Sequence, residues 1–429
     1  MLNIGLSIVQ NRVASSLSTA FADFGENPSI IAADADQNAF FLSDASTGNV
    51  LTSVSLSEFG APTNGSGFIG FDKSGNAIEY SDGELPRTWD AANSQHIWMT
   101  DPTVTRLSDN NPQGMTAHSG SILTNGSDYG VFSSVLIRSS GQLAATGKST
   151  ITVAHTNGVS YTFRVLFKNI TGSNLYLEIF GDGTTGAATF ELSGSVGSLV
   201  INRELNCSAT LVEEGIGPNG IRYAEVLYTP SQNYTGTIFF GPGATSGDEI
   251  ELIAYQVTAT DKFPGWVGGD QTVGNVDREA LEWTLGSRAR AAVQAATNLT
   301  VGNAWTQPSA SDDERHLFQI DNASTFSVRT SSSGVAEAQA AAGTSSTGTT
   351  PAAGGHRIAA AMGSSDLSVS LDGASTVSTA GSASSLSSIT TIAVGAAADG
   401  SLGVRGGINK IAIAAVDTSN ADLEAWSGS

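Results

Sequence analysis

The sequence predicts an all-β protein: tandem antiparallel β-sandwich domains behind a small N-terminal module. Three observations carry this. Charged residues make up only 14% of the 429 residues, against about 25% in an average globular chain, and Ser, Thr, Gly and Ala take their place. Forty-nine glycines suit short strands joined by many tight turns, whereas long helices would draw on more Glu, Lys, Arg and Leu. Strict alternation of apolar and polar side chains recurs along the chain, the mark of an antiparallel strand buried on one side. At roughly 150 residues per domain, the length suggests about three domains, enough for several ordinary cores.

Residues 1–92 read as the N-terminal module. "LNIGLSIV" alternates Leu2, Ile4, Leu6 and Ile8 as a strand, and "NRVASSLSTAFADF" reads as one short helix. "NAFFLSD" and "NVLTSVSL" are strands. In "FIGFDKSGNAIEY" a polar turn separates Phe68–Phe71 from Ala77–Tyr80, a hairpin.

Residues 93–262 form the second unit, with the most legible strands. "VSYTFRVLFKNI" places Tyr161, Phe163, Val165 and Phe167 on one face. "SNLYLEIF" opposes Leu175, Leu177 and Ile179 to Tyr176, Glu178 and Phe180. "IRYAEVLYTP" opposes Ala224, Val226 and Tyr228 to Tyr223 and Glu225. Two such sheets make a sandwich. Pro264 and the glycines around it mark the junction to residues 263–429. There Val276–Trp283 reads as a short helical turn. "ARAAVQAA", "RHLFQID", "TFSVRTS", "GHRIAAAM", "DLSVSLDG", "ITTIAVG" and "INKIAIAAV" read as strands, and "DTSNADLEAW" as a capped closing helix.

The formal net charge is −21, with only 19 Lys and Arg. No basic stripe can form, which argues against nucleic-acid partners and anionic lipid. An acidic surface suits solubility at high local concentration; cation sites are the other reading. The single cysteine, Cys207, permits no intrachain disulfide and reads as a small core residue. No Lys or Arg precedes the first apolar run, so the N-terminus does not read as a secretory signal. No apolar stretch approaches the ~20 residues of a membrane span. The expectation is a protein made in the cytoplasm without membrane insertion.

Two stretches resemble known families. "HLFQIDNASTFSVRTSSSGV", "GGHRIAAAMGSSDLSVSLDGAST" and "ITTIAVG…INKIAIAAVDTSNADLEAW" follow one another as in the laminin G-like, concanavalin-type jelly roll of phage proteins. "GVSYTFRVLFKNITGSNLYLEIFG", "GIRYAEVLYTP" and "DEIELIAYQV" resemble the carbohydrate-binding-module-like jelly roll that precedes it in phage fibres. Ile221 and Arg222 stand where that pattern carries aromatics. The resemblance implies a bacteriophage virion protein, a fibre displaying two jelly rolls, commonly a homotrimer. Its N-terminal module would attach to other virion proteins, and its partner outside the particle would be host-surface glycan. The alternatives are a head fibre, decoration or spacer protein that binds nothing, and a glycan depolymerase. Residues 1–30 would be an arm that pairs with another chain.

The search for chemistry finds no catalytic set, and the chain is read as not an enzyme. His96, His118, His155, His316 and His356 have no metal-ligand spacing; His356, at a strand start in the family pattern, reads as structural. No nucleophile elbow or phosphate loop appears. Chance carboxylate pairs could stand about 5–10 Å apart, as glycoside hydrolysis needs, but no β-helix repeat accompanies them. No cofactor is implied, except that Ca²⁺ is admitted by analogy. Its candidate ligands are Asp34 and Asp36, Asp182, and Asp312, Asp313 and Glu314, for which turn acids are the alternative. For sugar binding, aromatic platforms beside polar groups point to Arg164, Lys168, Tyr176 and Glu178, opposite the core stripe. Tyr223 and Glu225 join them if their strand lies in the same sheet. A solvated face or a subunit contact would look the same. The six tryptophans read as core anchors.

Overall fold

A computed structural model describes residues 30–44, 50–60, 62–63, 67–90, 94–100, 104–108, 110–118, 121–141, 147–181, 189–268, 276–278, 281–307, 310, 312–341, 343–380, 384–399, 401–404 and 406–428. The strand and helix expected within residues 1–24, and Asp182, lie outside them. The protein is all-β, with five antiparallel sheets and three short α-helices among the described residues. The chain divides into two compact units. One holds the described residues of Met1–Gly65, Asp82–Pro102 and Ala280–Ser429; the other holds those of Ser66–Ser81 and Thr103–Glu279.

This differs from three consecutive domains. Ile31–Asp34 pairs with the late strand Gly407–Ala414, Ile31 against Ile413, and Gln95–Met99 pairs with the same strand through Met99 and Gly407. The described residues 30–63 and 82–90 of the expected N-terminal module thus belong with the C-terminal residues, as does Gln95–Met99 from the start of the expected second domain. Its hairpin, Phe68–Phe71 with Ala77–Glu79, instead pairs with Trp266–Val267 in the second unit. The hairpin turn is fixed locally, since Asp72 Oδ1 accepts the N–H groups of Ser74 and Asn76 at 2.8 Å each.

In the first unit a ten-stranded sheet carries Gly407–Ala414, Leu299–Gln307, Gly354–Met362 and Asp366–Leu371 side by side. Alternation puts Ala359, Ala361, Ala412 and Ala414 on one face. These small residues let the closing helix Asn420–Gly428 lie close, seating Leu423 and Trp426 on them. Phe40, Phe59, Trp98 and Trp283 form an aromatic chain in this unit, with Trp98 edge-on to Trp283 at 5.1 Å. Five of the six tryptophans are buried; Trp89 is half-buried.

Two expected elements are corrected. "ARAAVQAA" is helical, over Ser287–Gln294. Ala, Arg and Gln are strong helix formers. Ala289 and Val293, four apart, are the buried pair, and Arg288 reaches Ser43 O and Thr52 Oγ1. Val276–Trp283 contains the strand Val276–Arg278, paired with Val104–Arg106, rather than a helical turn.

The second unit is a sandwich of an eight-stranded and a six-stranded sheet. Its core holds the alternating sets expected: Tyr161, Phe163, Val165 and Phe167; Leu175, Leu177 and Ile179; Ala224, Val226 and Tyr228. Cys207 is half-buried against this core, and burial pushes its thiol up to about 11. The three-stranded sheet of Phe68–Phe71, Ala77–Glu79 and Trp266–Val267 adds a second core on the eight-stranded sheet, where Ile69, Ala77 and Trp266 pack with Leu166, Ile221, Ile253 and Phe132. Gly130, at φ +70°, permits this approach: a Cβ there would stand 1.8 Å from Ala77 O.

Candidate functional site

The candidate site is the outer face of the six-stranded sheet. Because Ile238 and Phe240, Leu177 and Ile179, and Phe190 and Leu192 fill the core, Phe239, Glu178 and Glu191 must point outward. Cross-strand register then aligns Lys148 with Phe239, Phe239 with Glu178, Glu178 with Glu191, and Glu191 with Arg203. Five adjacent strands contribute one residue each, a row of about 19 Å at ~4.8 Å per strand. Arg203 is exposed and the other four are half-exposed.

The row is cationic at both ends, with one aromatic ring and two carboxylates between. The His118 ring meets Phe239 edge-on at 5.2 Å, and Lys148 Nζ lies 5.9 Å from its centroid. Tyr176 flanks the row, its hydroxyl donating to Glu178 Oε2 at 3.1 Å. Burial, then the charges of Glu178 and Glu191, push that hydroxyl well above its ordinary pKa. Two carboxylates directly opposed across a ladder disfavour the fold; Tyr176 and Arg203, the latter 3.7 Å from Glu178, offset part of this. An aromatic face beside planar hydrogen-bonding groups can pack a sugar ring's C–H face while satisfying its hydroxyls.

The six residues singled out from the sequence do not form one site. Tyr176 and Glu178 lie on this face. Arg164, Lys168, Tyr223 and Glu225 lie on the eight-stranded sheet, beside the three-stranded cover. The Arg164 guanidinium sits 4.7 Å from the Tyr223 ring and 4.9 Å from Phe263. It binds Glu225 at 2.8 Å and Glu213 at 3.5 Å, and Tyr223 donates to Glu213 at 2.8 Å. Burial raises the Glu225 carboxyl even against the pull of Arg164, and burial with the Glu213 bond pushes the Tyr223 hydroxyl up to about 12. Lys168 Nζ lies 4.8 Å over Tyr129. These groups engage one another within the fold. Lys148, Phe239, Glu191, Arg203 and His118 were missed. The alternation of "GTIFFGPG" marks Phe239 as outward once Ile238 and Phe240 are assigned inward, but the register that brings the five together is not a local signal.

The acidic candidates are engaged locally. Asp34 is buried; its Oδ1 accepts the N–H groups of Asp36 at 2.8 Å and Gln37 at 3.2 Å, and Lys410 stands 3.8 Å away. Asp36 meets His96 at 3.2 Å, Asp313 pairs with Arg315, and Glu314 pairs with Arg329 and His316. Among the described residues no group of three or more His, Cys, Asp or Glu could hold a metal ion.

No family model and no curated protein matches the chain. Among solved structures, it is similar to the CBM40 of the Ruminococcus gnavus IT-sialidase bound to α2,3-sialyllactose, at 13% identity over 33% of this chain and 89% of that one, with a TM-score of 0.28. It is also similar to the CBM22-1 xylan-binding domain of Paenibacillus barcinonensis Xyn10C, at 10% identity over 38% of this chain and 94% of that one, with a TM-score of 0.24.

Proposed function

We propose that this protein is a non-enzymatic adhesin, a fibre of a bacteriophage particle that binds host-surface glycan through the six-stranded sheet of its second unit. The observation that carries the reading is the row Lys148–Phe239–Glu178–Glu191–Arg203, with Tyr176 beside it. Phe239 and Tyr176 as platforms among charged groups suit a short stretch of saccharide chain laid across the strands. Each contact is weak, so copy number, as a homotrimer and on the particle, would supply avidity. The family resemblances of the two jelly rolls support the virion setting, with the N-terminal residues as the attachment to other virion proteins.

The test is binding of the purified full-length protein to a glycan array, beside Phe239→Ala. Binding that Phe239→Ala weakens tenfold or more, about 1.4 kcal/mol, supports the reading. No binding on the array overturns it. A second reading, a spacer or decoration protein, draws on the edge strands Val200–Leu205 and Cys207–Ile216, where Val200, Leu205, Val212 and Ile216 are 46–61% exposed. Exposed apolar edges favour contact between copies. Stable association with capsids without glycan binding would select it.

A further inference from the structure

The first unit contains a hollow that the sheet-face reading does not use. Register aligns Lys410, Ala304 and Arg357 on three adjacent strands. The Ala304 methyl beside the long Arg357 side chain leaves a gap in the sheet's surface. The ladder also shifts register between Ala304 and Trp305, and such bulges re-aim neighbouring side chains. The result is a cavity of about 360 Å³, with Gln95, Trp305, His356, Arg357, Asp372 and Asn409 in its lining.

The walls are held in place by the fold. Asp372 follows the strand Asp366–Leu371 at φ +49°. Its Oδ1 accepts the Arg357 N–H at 2.8 Å, and its Oδ2 meets His356 Nδ1 at 2.8 Å. The other ring nitrogen of His356 faces Ala352 O at 2.8 Å. The ring is thus held between two acceptors, and the Asp372 bond raises its pKa. Trp305 lies 5.3 Å from the His356 ring. Asn409 is buried and donates to His96 O at 2.8 Å.

We propose that this hollow is a second ligand site, taking one sugar residue through its vicinal hydroxyls. Amide, guanidinium and carboxylate groups are planar and two-pronged, matching adjacent hydroxyls. The polar walls disfavour an apolar ligand. The volume falls in the range of small-molecule sites. The site lies in the other unit and does not depend on the six-stranded sheet.

The test titrates the full-length protein, labelled at histidine, with the methyl glycosides of glucose, galactose, mannose and N-acetylglucosamine up to tens of millimolar. The readout is the His356 ring resonance, assigned with His356→Gln. The expected result is a saturable shift with at least one glycoside. Ala304→Leu, which fills the hollow, weakens it about tenfold or more, and Phe239→Ala leaves it unchanged. Should Ala304→Leu fail to fold, Gln95→Ala on the half-exposed rim serves instead. No shift with any of the four, or a shift undiminished in the hollow variant, overturns the site.

Discussion

The two outer faces of the second unit carry similar side chains in different surroundings. On the eight-stranded sheet, Arg164, Tyr223, Glu213 and Glu225 bind one another beside a small sheet that buries Leu166 and Ile253. On the six-stranded sheet, Phe239, Tyr176, Glu178 and Glu191 stay half-exposed, and two carboxylates are left opposed. Aromatic and charged composition therefore does not mark a binding face. What separates the two is the small sheet packed beside one of them.

The largest expected effect tests that distinction directly. Arg164→Ala strips the buried Glu225 carboxylate of its nearest cation, and breaking a buried pair costs about 3–5 kcal/mol. Equilibrium denaturation measures it, and Glu225→Gln in the same chain should recover part of the loss. Glu178→Ala, which loses a 3.7 Å pair with the exposed Arg203 but relieves the opposed Glu191, should cost under about 1 kcal/mol. Equal losses from the two would erase the comparison. Next in size is the cover itself. Leu166 and Ile170 lie on one strand, the first 6% exposed and the second 50%. Leu166→Ala should cost about 2–5 kcal/mol by leaving a cavity under the small sheet. Ile170→Ala should stay within about 0.5. A small loss at Leu166 would mean that the cover is loosely packed.

These contrasts also mark the limits of what could be read from the chain. The alternation of "VSYTFRVLFKNI" is a local property, so the inward set Tyr161, Phe163, Val165 and Phe167 was legible residue by residue. The same alternation put Arg164 and Tyr176 opposite their core stripes, correctly, yet parity along a strand does not say which sheet the strand joins. The pairing of Ile31 with Ile413, which dissolves the N-terminal module, leaves no trace in either segment. "ARAAVQAA" failed for another reason: small residues support helix and strand patterns alike, and helix propensity decided it. Of the candidate site, Tyr176 and Glu178 were legible; Phe239, Glu191 and Arg203 required the register.

A third test asks whether the sandwich between the faces sets the response to acid. His155 is buried, with Nε2 2.7 Å from Tyr228 Oη and its ring stacked on Tyr234 at 4.3 Å. Burial pushes its pKa down to about 4, against about 6.5 when unfolded. Between those values the unfolded chain binds the extra proton, so stability rises with pH there. The contribution is present above about pH 6.5 and is lost as pH falls toward about 4, some 3 kcal/mol in all. His155→Gln should flatten this limb in unfolding measured at stepped pH. An unchanged slope would return the acid response to the carboxylates of the faces.

The smallest effect is the most informative about purpose. Glu178 and Glu191 face each other across the ladder, an arrangement that costs stability and that a purely structural face has no reason to keep. Glu191→Gln removes one charge and keeps the shape and the hydrogen-bonding amide. It should raise stability by about 0.2–1 kcal/mol, since like charges directly opposite are destabilising by that order. If the carboxylate grips a ligand hydroxyl, the same substitution weakens saccharide capture, because a charged acceptor bonds more strongly than a neutral one. Thermal unfolding and array binding on the one variant therefore move in opposite directions at a binding face, the trade expected where function holds a strained arrangement in place. A variant that gains stability and binds as tightly as before would show the opposed pair to be unused, and the aromatic residues alone would carry the site.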